Sequence, residues 1–230
     1  MSIVYEYNPD EDEWDDRTDM PTGRFGAGIA VVDGKIYVMG GSFDGVTQLC
    51  TVEAYDPKTD SWEEKADMPV QRIGFGVGVI NGRIYVISGW SGWANNDVEE
   101  YDPDTDIWTK KATIPTPRDW FGTSVVDGKI YIMGGWTPGG VIVPTVEIYD
   151  PETNTWIKGV DMPERRANLS SNAVNGKIYA IGGVRNWCNM VQDCQVLSLV
   201  EEFDTGFVPP KSVQPVGKLT MTWGGIKSER

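Results

Sequence analysis

Apolar and polar positions alternate along the chain in short blocks that recur four times. Each block begins with a small-residue apolar run, such as the glycine-rich residues 26–32, which is too short for a stable helix but suits a buried strand, strand a. A second apolar strand, strand b, follows after a two-residue turn. Such pairs supply the positive φ values of a type I′ turn and therefore predict four hairpins, at Asp33-Gly34, Asn81-Gly82, Asp127-Gly128 and Asn175-Gly176.

A second hairpin completes each block. Strand c carries the sequence Val-Glu-x-Tyr-Asp-Pro at 52–57, 98–103 and 146–151, and a degraded copy ends at Pro9. The Asp-Pro pair sets a turn, and strand d carries a tryptophan. The tyrosines of strand c recur after 48, 46 and 48 residues, and the strand d tryptophans keep the same intervals at Trp14, Trp62, Trp108 and Trp156. The number of residues varies only between strands b and c. With its two successive hairpins, each block is predicted to be a four-stranded antiparallel meander.

This block also has a pair of small residues after strand b, Gly40-Gly41 in the first copy and Gly134-Gly135 in the third. In that combination it resembles the kelch repeat, which forms one blade of a β-propeller. The resemblance covers nearly the whole chain and implies an all-β propeller of four-stranded antiparallel blades in a single domain, 1–230. The expected units are a half-blade at 1–23 and blades at about 24–71, 72–117, 118–165 and 166–224. An isolated meander cannot bury both faces, so the strand d tryptophans are predicted to pack between blades.

The number of blades leaves ring closure open. Four a–b hairpins are accompanied by five copies of c–d sequence, since 4–19 and 200–224 each supply one. In the last copy Phe203 replaces the tyrosine, and Trp223 takes the place of the strand d tryptophan. The chain could be a fragment of a larger ring, a small imperfect ring, or an open array that associates with a second copy.

Composition limits the partners. The chain has 230 residues, 40% of them hydrophobic, and a net charge of −14. That charge argues against nucleic acid and against an anionic membrane, since both bind through Lys and Arg. The N-terminus shows no secretory signal and no run is long enough to span a membrane, so a cytoplasmic location is expected, or an extracellular one if the natural start lies upstream. Cys188 and Cys194 could form a disulfide in the longest b–c loop, which would leave Cys50 unpaired.

The absence of histidine excludes several chemistries. It removes Ser-His and Cys-His nucleophile pairs and histidine-containing zinc sites. The copper oxidases of the kelch type need histidine ligands, so their activity is not expected here. The aspartates of the c–d turns could in principle bind calcium, but such side chains commonly bind their own backbone, and we predict no metal and no cofactor. Four glutamates recur in register and favour a scaffold role over acid–base catalysis: Glu53, Glu99, Glu147 and Glu201.

Candidate binding residues collect on one face of the predicted propeller. In antiparallel blades the b–c loops and the connections into strand a emerge on the same side, which we call the loop face. Four tryptophans lie in b–c loops, a fifth follows the start of a strand a, and an arginine begins each strand a near the expected axis. The predicted ligand-binding residues are Trp90, Trp93, Trp120, Trp136 and Trp187 together with Arg24, Arg72, Arg118 and Arg166.

These residues predict a non-catalytic binding scaffold, the usual role of kelch domains. The ligand would be a protein segment carrying carboxylates, which suits the arginines, or a carbohydrate, which suits the tryptophans. The arginines could instead cap carbonyl groups or pair with acidic residues inside the scaffold. Two other functions stay open: a carbohydrate-processing or isomerising enzyme that uses carboxylates only, and a structural module or truncated gene product without a ligand.

Overall fold

The protein is described by a computed structural model covering residues 2–93, 95–186 and 195–206. The described residues form antiparallel sheets and no helix, in a propeller arrangement, as predicted. In chain order the strands are β1 Val4–Asn8, β2 Glu13–Arg17, β3 Gly28–Val32, β4 Lys35–Met39, β5 Val52–Asp56, β6 Ser61–Lys65, β7 Gly76–Ile80, β8 Arg83–Ile87, β9 Val98–Asp102, β10 Ile107–Lys110, β11 Gly122–Val126, β12 Lys129–Met133, β13 Trp136–Thr137, β14 Val141–Ile142, β15 Val146–Asp150, β16 Thr155–Lys158, β17 Ser170–Val174, β18 Lys177–Ile181 and β19 Val200–Asp204.

Three of the sheets are complete blades with the order a, b, c, d: β3–β6, β7–β10, and β11, β12, β15 and β16. β1 and β2 form the N-terminal half-blade. β17, β18 and β19 are strands a, b and c of the fourth blade, whose predicted strand d and Trp223 lie outside the described residues. The four predicted a–b turns are confirmed, since both central residues of each have positive φ, as in Asp33 at 50° and Gly34 at 77°.

The core lies between successive blades. Tyr37 of the first blade and Ile84 and Tyr101 of the second belong to one buried apolar cluster. In the first blade strand a carries glycine where the neighbouring blade comes close. A Cβ atom at Gly28 would lie only 2.4 Å from the Phe75 ring of the next blade, so no larger residue fits without a shift.

The c–d turns of the three complete blades also bind the preceding blade. The Asp60 carboxylate accepts hydrogen bonds from the Tyr55 hydroxyl at 2.6 Å and from the Thr18 amide at 2.9 Å, and the Trp62 indole donates to the Thr18 carbonyl at 2.9 Å. Equivalent bonds recur at the next two blades, where the acceptors are Asp106 and Asn154 and the donors include Trp108 and Trp156. The predicted inter-blade role is confirmed for these three tryptophans. Trp14 has the same place in the half-blade and is 67% exposed.

The blades form an arc. Strands a of neighbouring blades contact each other in the order β3, β7, β11 and β17, and within the described part of the chain β17 makes no contact with β3. Among the described residues, the face of β3 that points away from the second blade is therefore open, with Ile29 and Val31 exposed by 63% and 61%, whereas their counterparts Val77 and Val79 are half-buried. The described residues contain no helix with the length and hydropathy needed to cross a bilayer.

Candidate binding site on the loop face

The four arginines that begin strand a lie inside the blades. The Arg118 guanidinium donates to the Gly134 carbonyl at 2.9 Å and to the Glu147 carboxylate at 2.7 Å, and thereby ties the start of strand a to the end of strand b and to strand c. The other three form the same ion pairs with the glutamates that recur in strand c: Arg24 with Glu53, Arg72 with Glu99 and Arg166 with Glu201.

The arginine side chains are at most 1% exposed. Burial lowers the pKa of Arg72 and raises the pKa of Glu99, because desolvation of each group outweighs their mutual attraction. The prediction that Arg24, Arg72, Arg118 and Arg166 offer donors to a ligand is corrected by this geometry. Their guanidinium groups meet internal carbonyls and carboxylates, which is the scaffold role that repetition in register had also suggested.

Three of the predicted tryptophans share one cavity. Trp90, Trp120 and Trp136 line a space of about 610 Å³ on the loop face, within the size range of small-ligand sites. Trp136 is 9% exposed and Trp90 41%. The remaining lining residues are Asp119, Thr137, Pro138, Gly139, Gly140, Asn168 and Val184. Trp93 is 68% exposed and does not line the cavity, and Trp187 lies outside the described residues.

Backbone pairing places Trp90 and Trp136 at the cavity. Gly89 and Gly135, with φ of 96° and 93°, follow strand b and turn the chain toward the start of strand a. The next residue then pairs with the residue that follows the buried arginine. Asp119 and Trp136 exchange both backbone hydrogen bonds at 2.9 Å. The first residue of each variable loop is thereby held on the rigid blade.

Trp120 has a left-handed backbone, with φ of 50°. The equivalent residues Gly26, Gly74 and Asn168 also have positive φ, so the fold requires this conformation two residues after each arginine. A bulky side chain rarely adopts it, and such strained residues cluster at functional sites. Glycine at position 74 makes room for the indole, since a Cβ atom there would lie 2.8 Å from the Trp120 ring.

Asp119 is the cavity residue that sequence reasoning missed. It is 8% exposed, and its carboxylate forms no hydrogen bond or ion pair within the described part of the chain. Burial raises the pKa of Asp119 to about 6. A comparison of the repeat copies contained the signal, because the position after each arginine is otherwise apolar, as Phe25, Ile73 and Ala167.

The acidic c–d turns bind their own backbone. Asp56, Asp102 and Asp150 each accept a hydrogen bond from the amide two residues on, at 2.9 to 3.0 Å. In the described ranges no three Asp, Glu or Cys side chains are grouped so that they could hold a metal ion. Cys50 is a free thiol whose pKa is raised by burial and by Asp67, while Cys188 and Cys194 lie outside those ranges.

Comparison with protein-family models identifies the class to which this fold belongs. The KLHDC2/KLHL20/DRC7 Kelch-repeats domain matches residues 1–135, and the Kelch motif matches 121–163 and 165–207. The chain belongs to the kelch-repeat family, whose propellers generally act as protein-interaction scaffolds. No curated protein sequence matches the chain.

The solved structure of YjhT has the same fold. It superimposes with a TM-score of 0.73 at 21% sequence identity, over 80% of this chain and 66% of that chain. At that identity the likeness shows the propeller fold alone. The superposition spans slightly less than two thirds of the neighbour's length.

Proposed function

We propose that the protein is a non-catalytic binding module that holds a segment of a partner protein in the tryptophan-lined cavity. The carrying observation is the convergence of Trp90, Trp120 and Trp136 on one cavity. These residues come from two b–c loops and one strand start, and none of them occupies a position at which all four repeats have tryptophan. Tryptophans are enriched among the residues that dominate binding energy at protein interfaces.

The composition of the cavity favours binding over catalysis. Among its described lining residues Asp119 is the only titratable group, whereas hydrolysis of a glycosidic bond ordinarily needs two carboxylates. A protein segment is favoured as the ligand because kelch propellers generally bind proteins. A carbohydrate stacked on the indoles is the alternative ligand for the same surface.

Substitution of Trp90, with Trp93 as a matched control, tests the proposal. Both residues are exposed tryptophans of the same loop, but Trp93 lies outside the cavity. Ligands would be selected with the full chain from a peptide display library and from a glycan array, and the dissociation constants measured by calorimetry. We expect Trp90→Ala to weaken peptide binding at least about tenfold and Trp93→Ala to leave it within about twofold. Equal binding by the two variants would contradict the proposal, and selection of glycans alone would replace the protein ligand with a sugar.

A carbohydrate-isomerising enzyme is the second candidate, favoured by one observation. Burial raises the pKa of Asp119 to about 6, and a carboxyl group with such a pKa can donate and accept protons near neutral pH. Nuclear magnetic resonance exchange spectra of reducing sugars would detect this activity. Anomer exchange faster than in buffer, and lost in Asp119→Asn, would establish it, while exchange at the buffer rate would reject it.

A further inference from the structure

Asp119 differs from every other buried carboxylate of the described residues in having no partner. Glu53, Glu99 and Glu147 are equally buried, and each meets an arginine at 2.7 to 2.9 Å. Asp119 is instead one of the residues that line the cavity. A buried charge without a counter-charge is costly, so a position that keeps one where the repeat has Phe, Ile or Ala calls for a compensating ligand.

The walls around Asp119 suit a cation. The indole faces of Trp90, Trp120 and Trp136 carry negative quadrupole charge, which attracts ammonium and guanidinium groups. No Lys or Arg is among the described lining residues, so none of them supplies a counter-ion for Asp119. The net charge of −14 further raises the local concentration of cationic ligands.

We propose that the cavity selects a basic side chain, Lys or Arg, on the partner protein, with its charge against the Asp119 carboxylate and its stem between the indoles. The inference rests on the proposed function and reverses the ligand charge predicted from the arginines. A neutral sugar is less favoured, because it would leave the charge of Asp119 uncompensated. An acidic peptide would be repelled.

A display selection with two variants tests this selectivity. Heptapeptides would be selected in parallel on the full wild-type chain, on Asp119→Asn and on Asp104→Asn. Asp104 is an exposed residue of a c–d turn, on the opposite face from the cavity, so the two variants lose the same charge from different places. We expect Lys or Arg to be enriched at one peptide position with the wild type and with Asp104→Asn, and that enrichment to disappear with Asp119→Asn.

The best peptide would then be compared with its copy in which norleucine replaces the basic residue. We expect the basic peptide to bind the wild type at least about tenfold more tightly, and the two peptides to bind Asp119→Asn within about twofold. Equal affinities for the wild type, or a preference unchanged in Asp119→Asn, would overturn the inference. If peptides without basic residues are selected and still depend on Trp90, the charge selectivity fails while the proposed function survives. Peptides indifferent to Trp90→Ala would reject both.

Discussion

Replacing Asp119 by asparagine should stabilise the protein, although it is expected to impair binding. The pKa of Asp119 rises from 3.8 to about 6 because burial disfavours the charged form. Below pH 3.8 the group is protonated in both the folded and the unfolded state and has no effect. Between pH 3.8 and about 6 the unfolded state releases the proton while the folded state keeps it, so stability falls across this window, and above about 6 the folded state holds the buried charge and the loss is complete.

The size of this effect follows from the shift. At 1.36 kcal/mol per unit, a rise of about 2 units costs about 3 kcal/mol at neutral pH, and solvent entering the cavity reduces that to about 1 to 2 kcal/mol. Urea unfolding at pH 4.5 and pH 7.5, followed by circular dichroism, would measure the difference. We expect Asp119→Asn to be more stable than the wild type at pH 7.5, with a smaller gain at pH 4.5.

Asp60→Asn is a control of opposite sign. The pKa of Asp60 is lowered by hydrogen bonds from the Tyr55 hydroxyl and the Thr18 amide, so its charge stabilises the fold above pH 3.8 and this contribution is lost as the pH falls further. Asn154 makes the same contacts in the third blade, which shows that asparagine fits. We expect Asp60→Asn to be less stable than the wild type at pH 7.5. A destabilised Asp119→Asn, or a gain independent of pH, would refute the reasoning.

Three further predictions follow from the scaffold. Glu147→Gln leaves the buried Arg118 without a counter-charge and should lower the free energy of unfolding by about 3 to 5 kcal/mol. As a control, Asp150→Asn breaks a partly exposed ion pair with Lys129 and should lower it by at most about 1 kcal/mol. Similar midpoints of urea unfolding for the two variants would contradict this prediction. Gly74→Ala should shift the fluorescence emission of Trp120, because the new methyl group meets the indole ring. Gly92 also has a positive φ but lies in open space, so Gly92→Ala should leave the emission unchanged. An unshifted emission spectrum for Gly74→Ala would contradict the contact. We expect the open face of β3 at Ile29 and Val31 to drive association between copies of this chain. Sedimentation should therefore show an apparent mass that rises with protein concentration in the wild type, and a smaller rise in Val31→Asp. A wild type that is a monomer at all concentrations would reject this prediction.

Local signals in the sequence predicted the architecture well. The Asp-Gly and Asn-Gly pairs specify their turns through backbone conformation alone, and the spacing of Tyr55 and Trp62 reflects a cross-strand pair in which the rings lie 5.0 Å apart. Both features depend on residues close in the chain. The convergence of Trp90 and Trp136 also followed, since the alternation of strand directions decides on which face a loop emerges.

The direction of the arginine side chains could not be derived in this way. Arg118 and Glu147 are 29 positions apart, and whether a guanidinium turns toward the axis or into its own blade depends on the three-dimensional positions of strand c and the Gly134 carbonyl. Asp119 was missed for a different reason. A repeat pattern describes the residues that the copies share, and it therefore does not mark the one copy in which a charged residue replaces an apolar one.

The fastening of each c–d turn to the blade before it has a consequence for local opening. The amides of Thr18, Ala66 and Ala112 each donate a hydrogen bond to the c–d turn of the following blade. Local unfolding of one blade therefore breaks hydrogen bonds with its two neighbours only. Asp12 and Trp14 are the equivalent fastening residues of the half-blade, and they are not bonded to another blade in the described structure. Amide protons of β1 and β2 should therefore exchange with deuterium first, followed by slower exchange toward β8 and β12 in the middle of the arc.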